Sequence, residues 1–219
     1  MGKFDWFWKA MGSSSERNDK KSKGIVSHAH GLIADYEQRS DAELVEAVRE
    51  TVADGQIKKK PEFLAVLTVA SARTLGMTPF EVQNQAVLRL LEGDVIQMAT
   101  GEGKTLVGAM AATGFALTGK RVHLITVNDY LAARDADWMR PLVEFFGLTV
   151  ASVTEATSRD DRVRAYRSDI VYAPVTEIGF DHLRDNQITH RDQTVQVAAD
   201  VALVDEADSC LLYTSDAAD

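Results

Sequence analysis

Asp94-Val95-Ile96-Gln97-Met98-Ala99-Thr100-Gly101-Glu102-Gly103-Lys104-Thr105 reads as an apolar strand that breaks into a glycine loop and opens a helix. A loop of that kind wraps phosphate with backbone N–H groups at a helix N-terminus. Gly101 and Gly103 let the backbone approach the phosphates with no Cβ in the way. Lys104 supplies a positive charge for the β- and γ-phosphates, and the Thr105 hydroxyl is placed to ligate Mg2+. Thr100 and Glu102 complete the loop. The strict pattern starts with glycine five residues before Gly103, where this chain has Met98. The strand–loop–helix context still favours a nucleotide over a plain turn.

A second apolar strand, Val201-Ala202-Leu203-Val204, runs into Asp205-Glu206-Ala207-Asp208. A carboxylate at a strand's C-terminal end emerges where α/β folds bind ligands. Asp205 therefore suits Mg2+ held through water, and Glu206 suits the base that orients or deprotonates an attacking water. The two segments together imply an ATP-hydrolysing site, with ATP and Mg2+ as its ligands.

Between and after these segments short apolar runs alternate with helical patterns. The runs fall at residues 95–98, 122–127, 148–153, 170–172 and 201–204; the helical stretches fall at 105–118, 131–146 and 159–166. Near-continuous apolar strands alternating with helices predict a parallel sheet covered on both faces. The fold class is α/β, of the P-loop type. Pro141 predicts a kink or break in the second of those helices. Upstream, Ser40 and Glu43 form a capping box for a helix reaching about residue 53. Pro61 suits the first turn of another helix ended by Gly76, and a third is expected over 79–92.

The chain has 219 residues, a net charge of −9, 45% hydrophobic and 26% charged residues. Those fractions are ordinary for a globular protein. The acidic balance argues against a sequence-independent grip on nucleic acid, which needs a basic face. No run approaches the ~18 apolar residues of a membrane span, and no secretory leader is present. These features imply a cytoplasmic protein. The one cysteine, Cys210, rules out a disulfide framework, and the pair His28 and His30 alone does not make a metal site.

Phe4, Phe7, Trp8 and Met11 share one helical face flanked by Lys3 and Lys9. Such a stripe packs on protein or lies on an anionic membrane surface. Residues 12–24 are polar and rich in serine and lysine, and read as a flexible linker. The final ten residues, 210–219, can be back-translated into a transposase adapter used in building sequencing libraries. The native frame is accordingly expected to run at least to Asp208 and to be cut near Ser209. The organisation expected is an amphipathic helix and linker (1–24), a helical lead-in (25–93), a nucleotide-binding domain (94–209) and a foreign tail (210–219).

Four stretches carry a family resemblance: Phe80-Glu81-Val82-Gln83, the loop 98–105, Thr126-Val127-Asn128-Asp129-Tyr130-Leu131-Ala132-Ala133-Arg134-Asp135, and Gly179-Phe180-Asp181-His182-Leu183-Arg184-Asp185-Asn186. Over about residues 60–209 the chain resembles SecA, the preprotein translocase ATPase of bacterial export. The third and fourth stretches are not shared by helicases at large, and Met98 looks normal for SecA. The resemblance implies an incomplete first RecA-like domain, with ATP bound between it and a second one. It also gives Gln83 a role: a glutamine amide donates and accepts at once, complementing the adenine edge. Partners implied are the Sec translocon channel, unfolded preprotein substrates, an anionic membrane surface and the second RecA-like domain of the same chain. Peripheral association with the inner face of the plasma membrane follows.

Pro174-Val175-Thr176 stand where housekeeping SecA proteins carry two asparagines, and Ala207 stands where they carry valine or isoleucine. Both departures, with the start Phe7-Trp8-Lys9-Ala10-Met11-Gly12, look more like the accessory SecA paralogue of some Gram-positive bacteria. A complete SecA adds a preprotein-binding domain, an arginine finger on the second RecA-like domain and a helical scaffold. An arginine finger is worth ~10³–10⁵ in rate in related enzymes. This chain alone is thus expected to bind nucleotide weakly and hydrolyse it very poorly. The alternative is a DEAD-type RNA helicase ATPase domain, since Asp205–Asp208 spells that motif; the acidic charge and the 126–135 stretch favour the translocase. A short, catalytically dead nucleotide-binding regulator is a third reading and needs a native tail.

Overall fold

The computed structural model describes residues 14–53, 55–190 and 193–212. The aromatic stripe Phe4–Met11 and most of the tail lie outside them. Five helices lead in: α1 (Ser14–Glu37), α2 (Asp41–Val52), α3 (Pro61–Leu75), α4 (Glu81–Glu92) and α5 (Lys104–Leu117). Then come β1 (Val122–Thr126), α6 (Asp129–Phe145), β2 (Val150–Ser152), α7 (Arg159–Ala165), β3 (Ile170–Pro174), α8 (Val175–Gln187) and β4 (Val201–Val204). The strands form one parallel sheet in the order β2-β3-β1-β4.

Helix boundaries follow local chemistry. Ser40 accepts from the Glu43 N–H while the Glu43 carboxylate accepts from the Ser40 N–H at 2.7 Å, the reciprocal cap expected at α2. Gly76 and Gly93 end α3 and α4 with φ of 67° and 86°, a conformation that glycine adopts without a Cβ penalty. The Asn128 side chain accepts the Leu131 N–H at 2.9 Å and starts α6.

Three expected features differ. The serine- and lysine-rich stretch read as a linker is helical from Ser14 onward. Polarity alone does not make a segment flexible: lysine, arginine and glutamate are good helix formers, and Ser22, Val26, Ala29 and Tyr36 bury one narrow face. Residues 95–98 carry no ladder, so among the described residues the sheet has four strands rather than five. Ile96 and Met98 pack against the helical core while Val95 is 95% exposed. An apolar run favours extended chain, but a strand also needs a neighbour to bond with. Finally, α6 continues through Pro141. The missing N–H costs one helical bond, yet Ala132, Ala136, Met139, Leu142 and Val143 are buried on both sides of the proline and hold the helix in place.

One sheet face, with Val122, Leu124, Ile170 and Tyr172, packs under Ala112 and Ala116 of α5 and Ala132, Ala136 and Val143 of α6. The other face, with Val171 and Ala173, packs against Ala165, Tyr166 and Val195. A larger cluster beyond α5 joins α1 to α4 through residues such as Phe63, Leu64, Leu67, Leu88 and Met110. This helical layer is what fixes the start of α4 beside the start of α5.

His123 on β1 is buried, its ring 5.6 Å from that of Tyr166. Burial holds its imidazole below the ordinary value. The unfolded chain therefore takes up a proton before the folded chain does, so stability is complete above the unfolded pKa and falls as pH drops below about 6.5. The urea midpoint should decrease between pH 7.5 and 5.5, and His123→Gln should flatten that decrease.

Candidate functional site

The two motifs meet at the C-terminal edge of the sheet. Lys104, the first residue of α5, places its Nζ 3.0 Å from Glu206 Oε1, although 102 residues separate them. That bond raises the Lys104 pKa, so the ammonium stays charged. Asp205 follows β4 directly, and its N–H donates to Ile125 O at 2.9 Å. Burial pushes the Asp205 carboxyl above the usual carboxylate range, and the Glu206 charge adds to the rise; the Glu206 N–H and Lys104 oppose it. Glu206 has φ +51°, a left-handed conformation that non-glycine residues seldom take. Strain of this kind, of order 1 kcal/mol or more, concentrates at functional positions.

The loop itself is held by its own side chains. Glu102 accepts the Ala99 N–H at 2.7 Å, so a carboxylate bonds a loop amide much as a phosphate oxygen would. Thr100 and Gly101 are exposed, and Gly101 and Gly103 have φ of 85° and 79°. Gln83 bridges loop and α4: its Nε2 donates to Glu102 O at 2.7 Å and its Oε1 accepts the Phe80 N–H at 2.8 Å. The amide keeps one N–H and one lone pair to offer a base. A Cβ on Gly103 would stand 2.4 Å from Gln83 Nε2. Gly103→Ala should therefore cost about 1–2 kcal/mol through its positive φ and push the Gln83 amide off Glu102 O. A lower melting temperature together with weaker nucleotide binding would show both effects.

A cleft of about 230 Å³ opens beside the loop, lined by Met77, Phe80, Gln83, Thr105 and Trp138 among others. Gly103 and Thr105 belong to both cleft and loop, so a ligand can span the two. Trp138 was not singled out from sequence, because a tryptophan in a helical stretch reads as core. The residues present fit Mg2+. Mg2+ binds through one or two carboxylates plus substrate phosphates rather than an all-protein cage, and Thr105 and Asp205 would hold it here.

Sequence reasoning also missed a buried ion cluster next to α8. Arg162 Nη1 donates to Asp181 Oδ2 at 2.7 Å, and Nη2 to Glu177 Oε2 at 2.6 Å. Asp181 lies in the stretch that carried part of the resemblance and Glu177 two residues before that stretch, but nothing in the run 159–162 marked Arg162 as their partner. The hydroxyl of Tyr166 donates to the same Asp181 oxygen at 2.8 Å.

The SecA DEAD-like domain family matches residues 7–218. The chain belongs to that family. Over 212 residues it is 59% identical to the protein translocase subunit SecA 2 of Corynebacterium glutamicum, covering 97% of this chain and 28% of that protein. It is 51% identical over 220 residues to SecA 2 of Corynebacterium jeikeium, covering 95% and 28%. Identity to the protein translocase subunit SecA 3 of Mycolicibacterium vanbaalenii is 49% over 208 residues, covering 94% and 26%. The chain thus spans little more than a quarter of the relatives it matches. A second or third SecA in these organisms agrees with the accessory resemblance drawn from Pro174, Val175, Thr176 and Ala207.

Proposed function

We propose that this chain is the nucleotide-binding part of a SecA-type translocase motor, which couples ATP hydrolysis to preprotein export. The observation that carries the reading is the Lys104–Glu206 bond, which joins a phosphate loop to a strand-end acidic pair. Loop amides and Lys104 bind the phosphates, Gln83 reads the base, and Thr105 and Asp205 hold Mg2+. That ion, when bound, neutralises charge on the phosphate oxygens. Glu206 orients and deprotonates the attacking water once Lys104 turns to phosphate.

The remaining proposals concern the whole protein. Its partners are the Sec translocon channel, unfolded preproteins, an anionic membrane surface and a second RecA-like domain of its own chain. It works in the cytoplasm at the inner face of the plasma membrane; among the described residues no helix is long and apolar enough to cross it. Residues 94–209 form an incomplete first RecA-like domain.

Isothermal titration of Mg·ADP into the 219-residue chain, with and without Glu206→Gln, tests the site. Binding should persist in the variant. In a full-length protein the same change should lower kcat by about 10²–10⁴. The 219 residues alone should show almost no turnover; substantial hydrolysis by them would overturn that part.

A further inference from the structure

Resting on the nucleotide reading, we propose that Trp138 forms one wall of the base subsite, and that the base of the bound nucleotide stacks on its indole while Gln83 selects the base by its edge. The cleft has two unlike ends. At one end Gly103 and Thr105 belong to the phosphate loop; away from them the lining is mostly apolar, from Met77, Phe80, Leu106 and Trp138, with Thr78 and Gln83 as the polar side chains that can both donate and accept. A flat heteroaromatic ring carrying a phosphate chain matches that division.

The placement of Trp138 is rigid on one side and open on the other. Its neighbour Met139 is fully buried and, with Leu142, anchors α6 in the helical core. Trp138 itself is 50% exposed and borders the cleft. A half-exposed indole on a packed helix, bordering the cleft, offers an aromatic face that a stacked base can cover. Stacking of a base on an aromatic side chain is worth roughly 5–150-fold in affinity, and it is indifferent to the base because every base has a π-face. Discrimination between bases accordingly falls to the polar side chains of the lining, Gln83 and Thr78.

The test uses the 219-residue chain with Trp6→Phe and Trp8→Phe, leaving Trp138 as its single tryptophan. Mg·ADP should quench or shift the Trp138 emission, and Mg·pyrophosphate should not. Trp138→Ala should weaken Mg·ADP and Mg·GDP by the same factor, roughly 5–150-fold, with pyrophosphate affinity and the circular dichroism unchanged. If ADP binds but the emission is silent and Trp138→Ala binds ADP as the parent does, the stacking assignment is overturned and the nucleotide site stands. An altered ADP-to-GDP ratio overturns it too, because Trp138 would then act through Gln83. If neither ADP nor pyrophosphate binds the parent chain, the nucleotide reading fails and the assignment fails with it.

Discussion

Replacing Lys104 by alanine should lower the affinity for Mg·ADP by at least about 30-fold while leaving the fold intact. Two observations separate these effects. Lys104 is the first residue of α5, directly after the loop, and no other basic side chain belongs to that loop. Removing one charge from a hydrogen-bonded ion pair that ligand binding desolvates costs 2–5 kcal/mol or more, which is about 30- to 5,000-fold in affinity. Stability stands differently. In the free chain the partner of Lys104 is Glu206, and the side chains of the two are 30% and 43% exposed. A pair that exposed is worth about 0–1 kcal/mol, so the urea midpoint should scarcely move. Equal binding by Lys104→Ala and the parent would show that the phosphate loop is not where the nucleotide sits. A large loss of stability would show instead that Lys104 packs.

The same two segments explain why the site was legible before the fold was. A phosphate loop must be contiguous, because successive backbone amides and the first helical turn do the binding, so residues 100–105 appear together in the sequence. Asp205 and Glu206 are contiguous for a related reason: a strand end delivers both. Helix limits were legible wherever a cap is local, as at Ser40, Gly76 and Gly93. What sequence does not contain is the identity of a partner. Residues 95–98 look like a strand, but a ladder requires a neighbour that no pattern names. The polar stretch after residue 13 looked unfolded because its helix buries only a thin face, Ser22, Val26, Ala29 and Tyr36, most of which lies beyond the stretch. Pro141 carried a rule about isolated helices, and α6 is not isolated. Trp138 needed its distance from the loop to be known, and Arg162 is separated from Glu177 and Asp181 by 15 and 19 residues across two helices.

Replacing Arg162 by alanine should destabilise the chain by about 3–5 kcal/mol, the largest loss expected from any single surface-to-core charge here. Arg162, Glu177 and Asp181 are all buried, at 6%, 9% and 1% exposure. The guanidinium uses its fork fully: besides the two carboxylates, Nε donates to Thr157 O at 3.0 Å and Nη2 to Thr154 O at 2.7 Å. It thereby ties the 154–157 loop and α7 to the first two turns of α8. Without it two carboxylates remain in a low-dielectric setting, Asp181 with the Tyr166 hydroxyl and an exposed Arg184 bond at 3.0 Å, and Glu177 with less. For a domain of this size each kcal/mol is worth about 2–4 °C, so the melting temperature should drop by roughly 6–20 °C. Arg162→Lys keeps the charge but not the planar fork and should recover only part of the loss. Arg162→Met combined with Glu177→Gln and Asp181→Asn should be milder than Arg162→Ala, since no unpaired charge is then buried. That ordering separates electrostatics from packing: if the triple variant is the least stable, shape rather than charge holds α7 to α8. Because α8 carries Phe180 and Leu183 exposed on its outer side, the same bonds also set how that helix is presented, and loosening them should raise amide exchange first in residues 175–187.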